Sequence, residues 1–161
     1  MATNLRSDLI RFYQGKDIIG SEIGAAAKNV MGLAAGLLDG MGYSTLKGGL
    51  MARGSREVSR LIEACGGNPL SAYGLCHLGD YEATLFSEFS HNRKWGEMFA
   101  QDKKFDKLAE GVDTSEALLK LASIHNVELP ITQTVFDVIH KKITKQEAIK
   151  QLFDRTNIYE F

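Results

Sequence analysis

The chain is poor in residues that cross-link or break a fold, with two cysteines, two prolines and one tryptophan among 161 residues. Cys65 and Cys76 fit no metal-binding spacing, and we interpret them as buried thiols in a reducing compartment rather than as a disulfide. Neither sign of charge dominates, because the formal net charge is −1 at pH 7. A near-neutral chain has no general attraction to nucleic acid or to an anionic membrane, so we expect neither as a partner.

Long apolar runs are also missing. The longest, Val30 to Leu38, is far shorter than the roughly 20 residues that a membrane-spanning helix needs. Polar and charged side chains interrupt the N-terminal segment, so it does not match a secretory signal. We therefore expect a cytoplasmic protein. Contents of 44% hydrophobic and 24% charged residues are typical of a globular chain, here of one-domain length.

Strand-like sequence is limited to residues 5–13, and no second segment of the sequence pairs with it. A lone strand cannot satisfy its own backbone hydrogen bonds, so this segment would pair outside the chain or pack as an arm. The remaining pattern is helical. It predicts an all-α bundle of about seven helices, over residues 18–41, 45–65, 68–77, 91–101, 114–125, 131–141 and 145–154.

Local signals mark several helix starts. Asn68-Pro69 is typical of an N-cap followed by proline at the first helical position. Two pairs match the spacing of a capping box, Asp113 with Glu116 and Thr144 with Glu147, and predict that helices begin directly after their first members.

Residues 24–40 form the most informative segment, a small-residue helix that contains one lysine, Lys28. An unpaired ammonium buried there would be costly, so Lys28 needs a partner or a function. Gly24, Gly32 and Gly36 share roughly its face and would let a backbone or a ligand approach. Lysines in apolar sites have lowered pKa values, which suits general acid–base work. The alternative is a tight helix–helix seam from which Lys28 extends into solvent.

A carboxylate and a basic turn are the next candidates. Asp80 either caps a helix start or pairs with Lys28 and accepts hydrogen bonds from a polyol substrate. Ser90 would cap a helix whose first turn carries His91, Asn92, Arg93 and Lys94. Cations at that end oppose the helix dipole, so the turn is either solvated or holds a phosphate or carboxylate.

The remaining histidines, His77, His125 and His140, do not cluster in the sequence. We expect structural roles for them and no metal site.

A longer series of motifs appears in order along the chain: Lys28-Asn29-Val30, Ala34 to Gly40, Lys47, Arg53-Gly54, Gly66 to Pro69, Gly74-Leu75, Leu78-Gly79-Asp80, Thr84, Ser90, Asn92-Arg93, Glu110-Gly111-Val112, Thr114 and Glu128 to Thr132. Their order and spacing resemble the C-terminal domain of bacterial-type NAD(P)-dependent sn-glycerol-3-phosphate dehydrogenases over residues 9–154. The resemblance implies an all-α fold like the C-terminal domain of 6-phosphogluconate dehydrogenase.

That family joins an N-terminal Rossmann domain to an all-α substrate domain. This chain contains no Gly-x-Gly-x-x-Gly. The resemblance therefore assigns residues 1–14 to a strand and linker left from a missing cofactor domain, and residues 15–161 to the substrate domain. It implies NAD or NADP, held mainly by the missing domain, and a phosphorylated three-carbon substrate. The small-residue helix could also serve as the seam of a homodimer.

The resemblance also implies roles for single residues. Lys28 would exchange the proton of the substrate's C2 hydroxyl, and Asp80 and Thr84 would orient the lysine and the substrate. The implied substrate contacts are Asp80, Ser90, His91, Asn92 and Arg93. The implied cofactor contacts are His91, Leu108 and Glu110.

The sequence departs from the family pattern in three places. His91 stands where an arginine usually contacts phosphate and cofactor, Thr45-Leu46 replaces a usual Asn-Thr pair, and Asp113 stands where an arginine is common. Histidine lacks the fixed charge and fork geometry of arginine. Either Arg93 supplies the anion contact or the affinity or the substrate differs.

The expected function is that of an oxidoreductase domain that interconverts dihydroxyacetone phosphate and sn-glycerol 3-phosphate for glycerophospholipid synthesis. Without a cofactor domain the fragment is expected to be inactive. The alternatives are a non-enzymatic assembly or regulatory module, and a dehydrogenase domain for another phosphorylated hydroxy compound. The preference between NAD and NADP is set in the missing domain.

Overall fold

The computed structural model describes residues 12–153, and within that range every regular element is helical. Its seven α-helices are α1 (Ile18–Gly40), α2 (Lys47–Ala64), α3 (Asp80–Phe86), α4 (His91–Ala100), α5 (Gly111–Ile124), α6 (Pro130–Ile139) and α7 (Lys145–Phe153). The predicted all-α class is confirmed. The predicted strand over residues 5–13 lies outside the described residues except for Phe12 and Tyr13, which belong to no regular element.

The segment between α2 and α3 differs from the prediction. The helix predicted over residues 68–77 is wrong, since this stretch is a 3₁₀ turn, Pro69–Tyr73, followed by a π-helical turn, Leu75–Gly79. Gly74 separates the two turns with an extended backbone, which a continuous helix does not tolerate. The second turn leads directly into α3, so it sets where Asp80 lies.

One predicted capping box forms and the other does not. At α7, the backbone N–H of Thr144 donates to Glu147 Oε2 at 2.8 Å, and the N–H of Glu147 donates to Thr144 Oγ1 at 3.1 Å. The predicted box at Asp113 is wrong, because α5 already begins at Gly111. The N–H of Gly111 donates to Asn92 Oδ1 at 2.9 Å. A side chain from α4 therefore supplies the partner that a local cap would have supplied.

Helix α1 is the centre of the fold, and most of its side chains from Ala27 to Leu38 are fully buried. Glycines make this possible because they let neighbouring backbones touch α1. A Cβ on Gly36 would lie 2.0 Å from the carbonyl oxygen of Arg93 on α4, and one on Gly96 would lie 2.3 Å from that of Leu33. The glycine face that was predicted as a seam is thus covered by α4 of the same chain. A homodimer stays a prediction.

A buried carboxylate joins α2 to α6. Glu57 on α2 accepts hydrogen bonds from the backbone N–H groups of Ile131 at 2.7 Å and Thr132 at 3.0 Å. Burial raises the pKa of Glu57, and these hydrogen bonds oppose the shift. Glu57 therefore caps α6 from another helix and fixes the packing around α1.

Among the helices within residues 12–153, none combines the length and the apolar composition of a membrane-spanning segment. Cys65 and Cys76 are free thiols, and both are half-buried rather than fully buried as predicted.

Candidate active site

Lys28 lies near the middle of α1 and has a partner. Its ammonium donates a hydrogen bond to Oδ2 of Asp80, the first residue of α3. The Lys28 side chain is 24% exposed and the Asp80 side chain 47% exposed. Asp80 does not act as the N-cap of α3, since that position belongs to Gly79, which makes no side-chain cap bond. The pair combines an ammonium and a carboxylate that are both open to a ligand.

The glycines beside Lys28 bring two further helices to its face of α1. A Cβ on Gly32 would lie 3.1 Å from Thr84 Cγ2 on α3 and 3.1 Å from Asn92 Cβ on α4. Gly32 is one helical turn from Lys28. The tight seam expected from the sequence is present, and it places Thr84 and Asn92 next to the Lys28–Asp80 pair.

Thr84 holds the first turn of α3. Its Oγ1 donates to the backbone carbonyl of Asp80 at 2.8 Å, and its methyl group faces Gly32. The hydroxyl proton is committed to this bond, so Thr84 can only accept from a ligand. This bond ties Thr84 to the backbone of Asp80.

A chain of amide groups connects α1, α4 and α5. Asn92 Nδ2 donates to Asn29 Oδ1 at 3.0 Å, and Asn92 Oδ1 accepts from Gly111 N–H. Asn29 Nδ2 in turn lies 3.4 Å from Glu110 Oε2. Asn29 received no role from the sequence, although an amide beside a lysine in an apolar helix was the available signal. Asn92 thus ties α4 to α1 and to the start of α5 through both ends of its amide.

The N-terminus of α4 has the predicted cap. Ser90 Oγ accepts from the backbone N–H of Arg93 at 3.2 Å. His91 is exposed, and its ring meets Phe105 edge to face with the ring centroids 6.1 Å apart. An exposed imidazole therefore lies at the helix N-terminus, where the first backbone N–H groups of α4 are located.

Arg93 points away from solvent into an ion-pair network. Its Nη1 donates to Asp39 Oδ2 at 2.7 Å and its Nε donates to the carbonyl of Ser87 at 2.9 Å. Asp39 also accepts from Lys47 at 2.9 Å and from Ser44 at 2.7 Å. Burial would raise the pKa of Asp39, but the donors outweigh burial and hold it below its ordinary value. Arg93 is 12% exposed and shares Asp39 with Lys47, and the half-exposed Lys94 pairs with Glu97. His91 is exposed at the same turn.

Two of the three predicted cofactor contacts, Leu108 and Glu110, lie just before α5, and the third, His91, is the first residue of α4. Leu108 is 71% exposed, and Glu110 is exposed beside Asn29. Residues 12–153 contain no strand–turn–helix unit of the kind that cradles a dinucleotide. The exposed side chains of Leu108 and Glu110 form a surface that a cofactor bound by another domain could contact. No group of three or more metal-ligating side chains occurs in the described part of the chain.

Comparison with known proteins identifies relatives of this chain. Residues 17–150 match the family described as NAD-dependent glycerol-3-phosphate dehydrogenase C-terminus. The chain is 38% identical over 160 residues to glycerol-3-phosphate dehydrogenase (NAD(P)+) of Aromatoleum aromaticum, covering 94% of this chain and 49% of the relative. It is 40% identical over 154 residues to the protein of that name from Streptomyces coelicolor, covering 91% and 46%.

A solved structure agrees with the sequence relatives. The crystal structure of glycerol-3-phosphate dehydrogenase from Coxiella burnetii aligns with a TM-score of 0.88 at 28% identity. The alignment covers 96% of this chain and 50% of that one. The chain therefore spans about half the length of the curated relatives it matches.

Proposed function

The chain belongs to the family of C-terminal domains of NAD-dependent glycerol-3-phosphate dehydrogenases, and we propose that it forms the substrate-binding and proton-transferring domain of such an enzyme. The reaction is the interconversion of dihydroxyacetone phosphate and sn-glycerol 3-phosphate. The observation that carries the proposal is the accessible Lys28–Asp80 pair, which lies one helical turn from the point where α4 begins against α1.

Lys28 is the proton donor and acceptor of the reaction. An ammonium has three N–H groups, and Asp80 takes one of them. Another can reach the oxygen on C2 of the substrate, protonate it when the ketone is reduced and recover the proton when the alcohol is oxidised. A bound nicotinamide supplies or accepts the hydride at that carbon. Asp80 holds the ammonium in place and stabilises its charge.

The start of α4 binds the phosphate. The first backbone N–H groups of a helix have no partners within it, and the helix dipole is positive there. Ser90 caps the N-terminus of α4 by accepting a hydrogen bond from the N–H of Arg93, and His91 is exposed at the same turn. Arg93 stabilises this turn by donating hydrogen bonds to Asp39 and to the carbonyl of Ser87. It does not contact the phosphate in this proposal. The phosphate contacts are therefore His91, Asn92 and the backbone N–H groups.

The hydride cofactor requires a second domain. We assign residues 15–161 to the substrate domain and residues 1–14 to a linker from a dinucleotide-binding domain such as the family carries. The exposed His91, Leu108 and Glu110 would face that domain and the cofactor, NAD or NADP. We place the reaction in the cytoplasm, where its product supplies glycerophospholipid synthesis.

The experiment joins this chain to the N-terminal half of the Aromatoleum aromaticum relative, giving a protein that we call the two-domain fusion. Turnover of dihydroxyacetone phosphate with NADH and with NADPH is measured against unphosphorylated dihydroxyacetone. We expect turnover only of the phosphorylated substrate. The separate 161-residue chain should be silent, because residues 12–153 form no cradle for the dinucleotide.

A folded fusion that turns over neither substrate would contradict the proposal, provided that the intact relative is active in the same assay. It would favour the non-enzymatic alternative. Turnover of a different phosphorylated hydroxy compound at a higher kcat/KM would keep the enzyme class and replace the substrate.

A further inference from the structure

His77 is a fully buried histidine outside the contacts assigned above. It lies in the π-helical turn Leu75–Gly79, three positions before Asp80. Its Nδ1 is 2.9 Å from the carbonyl oxygen of Gly24 on α1. The ring therefore bridges the turn that leads into α3 and the helix that carries Lys28.

The hydrogen bond fixes the tautomer of the ring. A carbonyl oxygen only accepts, so Nδ1 carries the proton. Nε2 is buried and has no hydrogen-bond partner within residues 12–153. Burying an unpaired polar atom costs free energy, and an apolar side chain of similar size would avoid that cost. What the imidazole adds at this position is the bond from Nδ1 to Gly24.

That bond ends on a carbonyl that also positions Lys28. In an α-helix the carbonyl of residue i accepts from the N–H of residue i+4, so the carbonyl of Gly24 accepts from the backbone of Lys28. A Cβ on Gly24 would lie 2.9 Å from His77 Cβ, so only glycine admits this approach. One ring thus contacts the backbone turn of Lys28 and lies one turn from Asp80.

A second contact holds the ring from the other side. Tyr81, the residue after Asp80, stacks on His77 with the ring centroids 5.1 Å apart and the planes 27° apart. Its hydroxyl donates to the carbonyl of Leu50 on α2 at 3.1 Å. The imidazole is therefore clamped between α1 and α3, and α3 is anchored to α2.

We propose that His77 is a positioning residue, whose Nδ1–H bond to Gly24 sets the register between α1 and α3 and so places the Asp80 carboxylate against the Lys28 ammonium. The effect on turnover rests on the proposed function, but the register is a property of the fold. Removing the donor should leave phosphate binding intact, because that site lies at the start of α4. It should weaken the chemical step, because small displacements of reacting groups are costly.

The first test uses NMR of the 161-residue chain. In the wild type, the ¹⁵N resonances of His77 should show a protonated Nδ1 and an unprotonated Nε2. The Lys28 Nζ and the Asp80 carboxyl carbon are then followed in His77→Leu, which has no donor, and in His77→Asn, whose amide can donate from the position of Nδ1. Lys28→Met gives the reference signal of an Asp80 carboxyl without its lysine partner, and Asp80→Asn gives that of a Lys28 ammonium without its carboxylate partner. We expect His77→Leu to move towards the references and His77→Asn to stay near the wild type.

The second test uses kinetics of the two-domain fusion. We expect His77→Leu to lower kcat about tenfold to hundredfold with KM for dihydroxyacetone phosphate nearly unchanged, and His77→Asn to restore most of kcat. Tyr81→Phe is the matched control, since it keeps the stacked ring and loses the bond to Leu50. It should lower thermal stability and leave kcat near the wild-type value.

Three results would overturn the inference. One is a wild-type His77 protonated at Nε2, which is decisive even if His77→Leu does not fold. Another is an unchanged Lys28–Asp80 pair in folded His77→Leu. The third is a fall in kcat for Tyr81→Phe as large as that for His77→Leu. If the fusion has no turnover but the NMR result is as expected, the proposed function fails and the positioning role stands.

Discussion

The ammonium of Lys28 on α1 donates a hydrogen bond to the carboxylate of Asp80 at the start of α3, across 52 positions of sequence. Both side chains reach solvent. Exposed ion pairs contribute little to folding, typically about 0–1 kcal/mol. The pair therefore matters less for stability than for what it presents to a ligand.

Asp80→Asn should consequently separate activity from stability. The variant keeps a hydrogen-bond acceptor but loses the countercharge of Lys28. In the two-domain fusion we expect kcat to fall at least about tenfold, a part of the 10²–10⁴-fold that a positioned acid–base group supplies, with a change of under about 1 kcal/mol in the free energy of unfolding. Glu116→Gln removes one partner of the exposed Glu116–Lys120 pair and is the control. An equal loss of kcat in both variants would exclude a specific role for Asp80.

Asp39 should show the opposite behaviour, since its partners are nearly buried. Asp39→Asn leaves Arg93 and Lys47, each about one-tenth exposed, without their shared countercharge. We expect urea denaturation to show a loss approaching the roughly 3–5 kcal/mol of a broken buried ion pair. Asp102→Asn removes the highly exposed partner of Lys145 and should change stability little. Similar losses in the two variants would contradict the burial argument.

His77 predicts a pH dependence of stability. Burial lowers the pKa of His77 and outweighs the opposing effects of the Gly24 carbonyl and of Asp80. The unfolded chain, with a histidine pKa of about 6.5, therefore binds a proton at pH values where the native state does not. Stability from this group is present above that pKa and is lost as the pH falls towards the lowered native pKa.

The measurement is the free energy of unfolding of wild type and His77→Asn at about pH 7.5 and about pH 5.5, on either side of the unperturbed histidine pKa. The advantage of the wild type should shrink at the lower pH. Carboxylates titrate equally in both proteins and cancel in the difference. A difference that stays constant between the two pH values would show that His77 does not titrate on unfolding.

His91→Arg tests the phosphate site. Arginine keeps its charge at every assay pH and can bind a phosphate with two parallel hydrogen bonds. In the two-domain fusion we expect KM for dihydroxyacetone phosphate to fall about tenfold, as one charge-assisted hydrogen bond of about 1.5 kcal/mol would give. Stability should not change, because His91 is exposed. His125→Arg places the same charge at the far end of α5, and an equal KM effect there would refute a local site.

Much of the fold was readable from the sequence because its signals are local. The small residues of α1, the Ser90 cap and the Thr144–Glu147 box each act within a few positions, and each is present as predicted. The start of α5 was misplaced because Gly111 finds its partner in Asn92, a contact between helices. The residue pattern within one segment of sequence does not encode a contact between two helices.

The candidate site, like the fold, was predicted from the sequence only in part. Lys28 and Asp80 were singled out individually, and the structure brings them together. His77 was assigned only a general structural role and Asp39 none, since their partners, Gly24 and Arg93, are each more than fifty positions away. A histidine three positions before the site carboxylate was the one local sign of the positioning role.

Substitution of Lys28 by methionine in the two-domain fusion tests the central claim most directly. Methionine keeps most of the apolar stem and removes the ammonium, so packing around α1 is retained while the proton donor is lost. We expect kcat for dihydroxyacetone phosphate to fall by about 10²–10⁴-fold, with KM and thermal stability close to those of the wild type. A Lys28→Met fusion that keeps near-full activity would contradict the claim and leave Lys28 as a solvent-directed side chain of a packed helix.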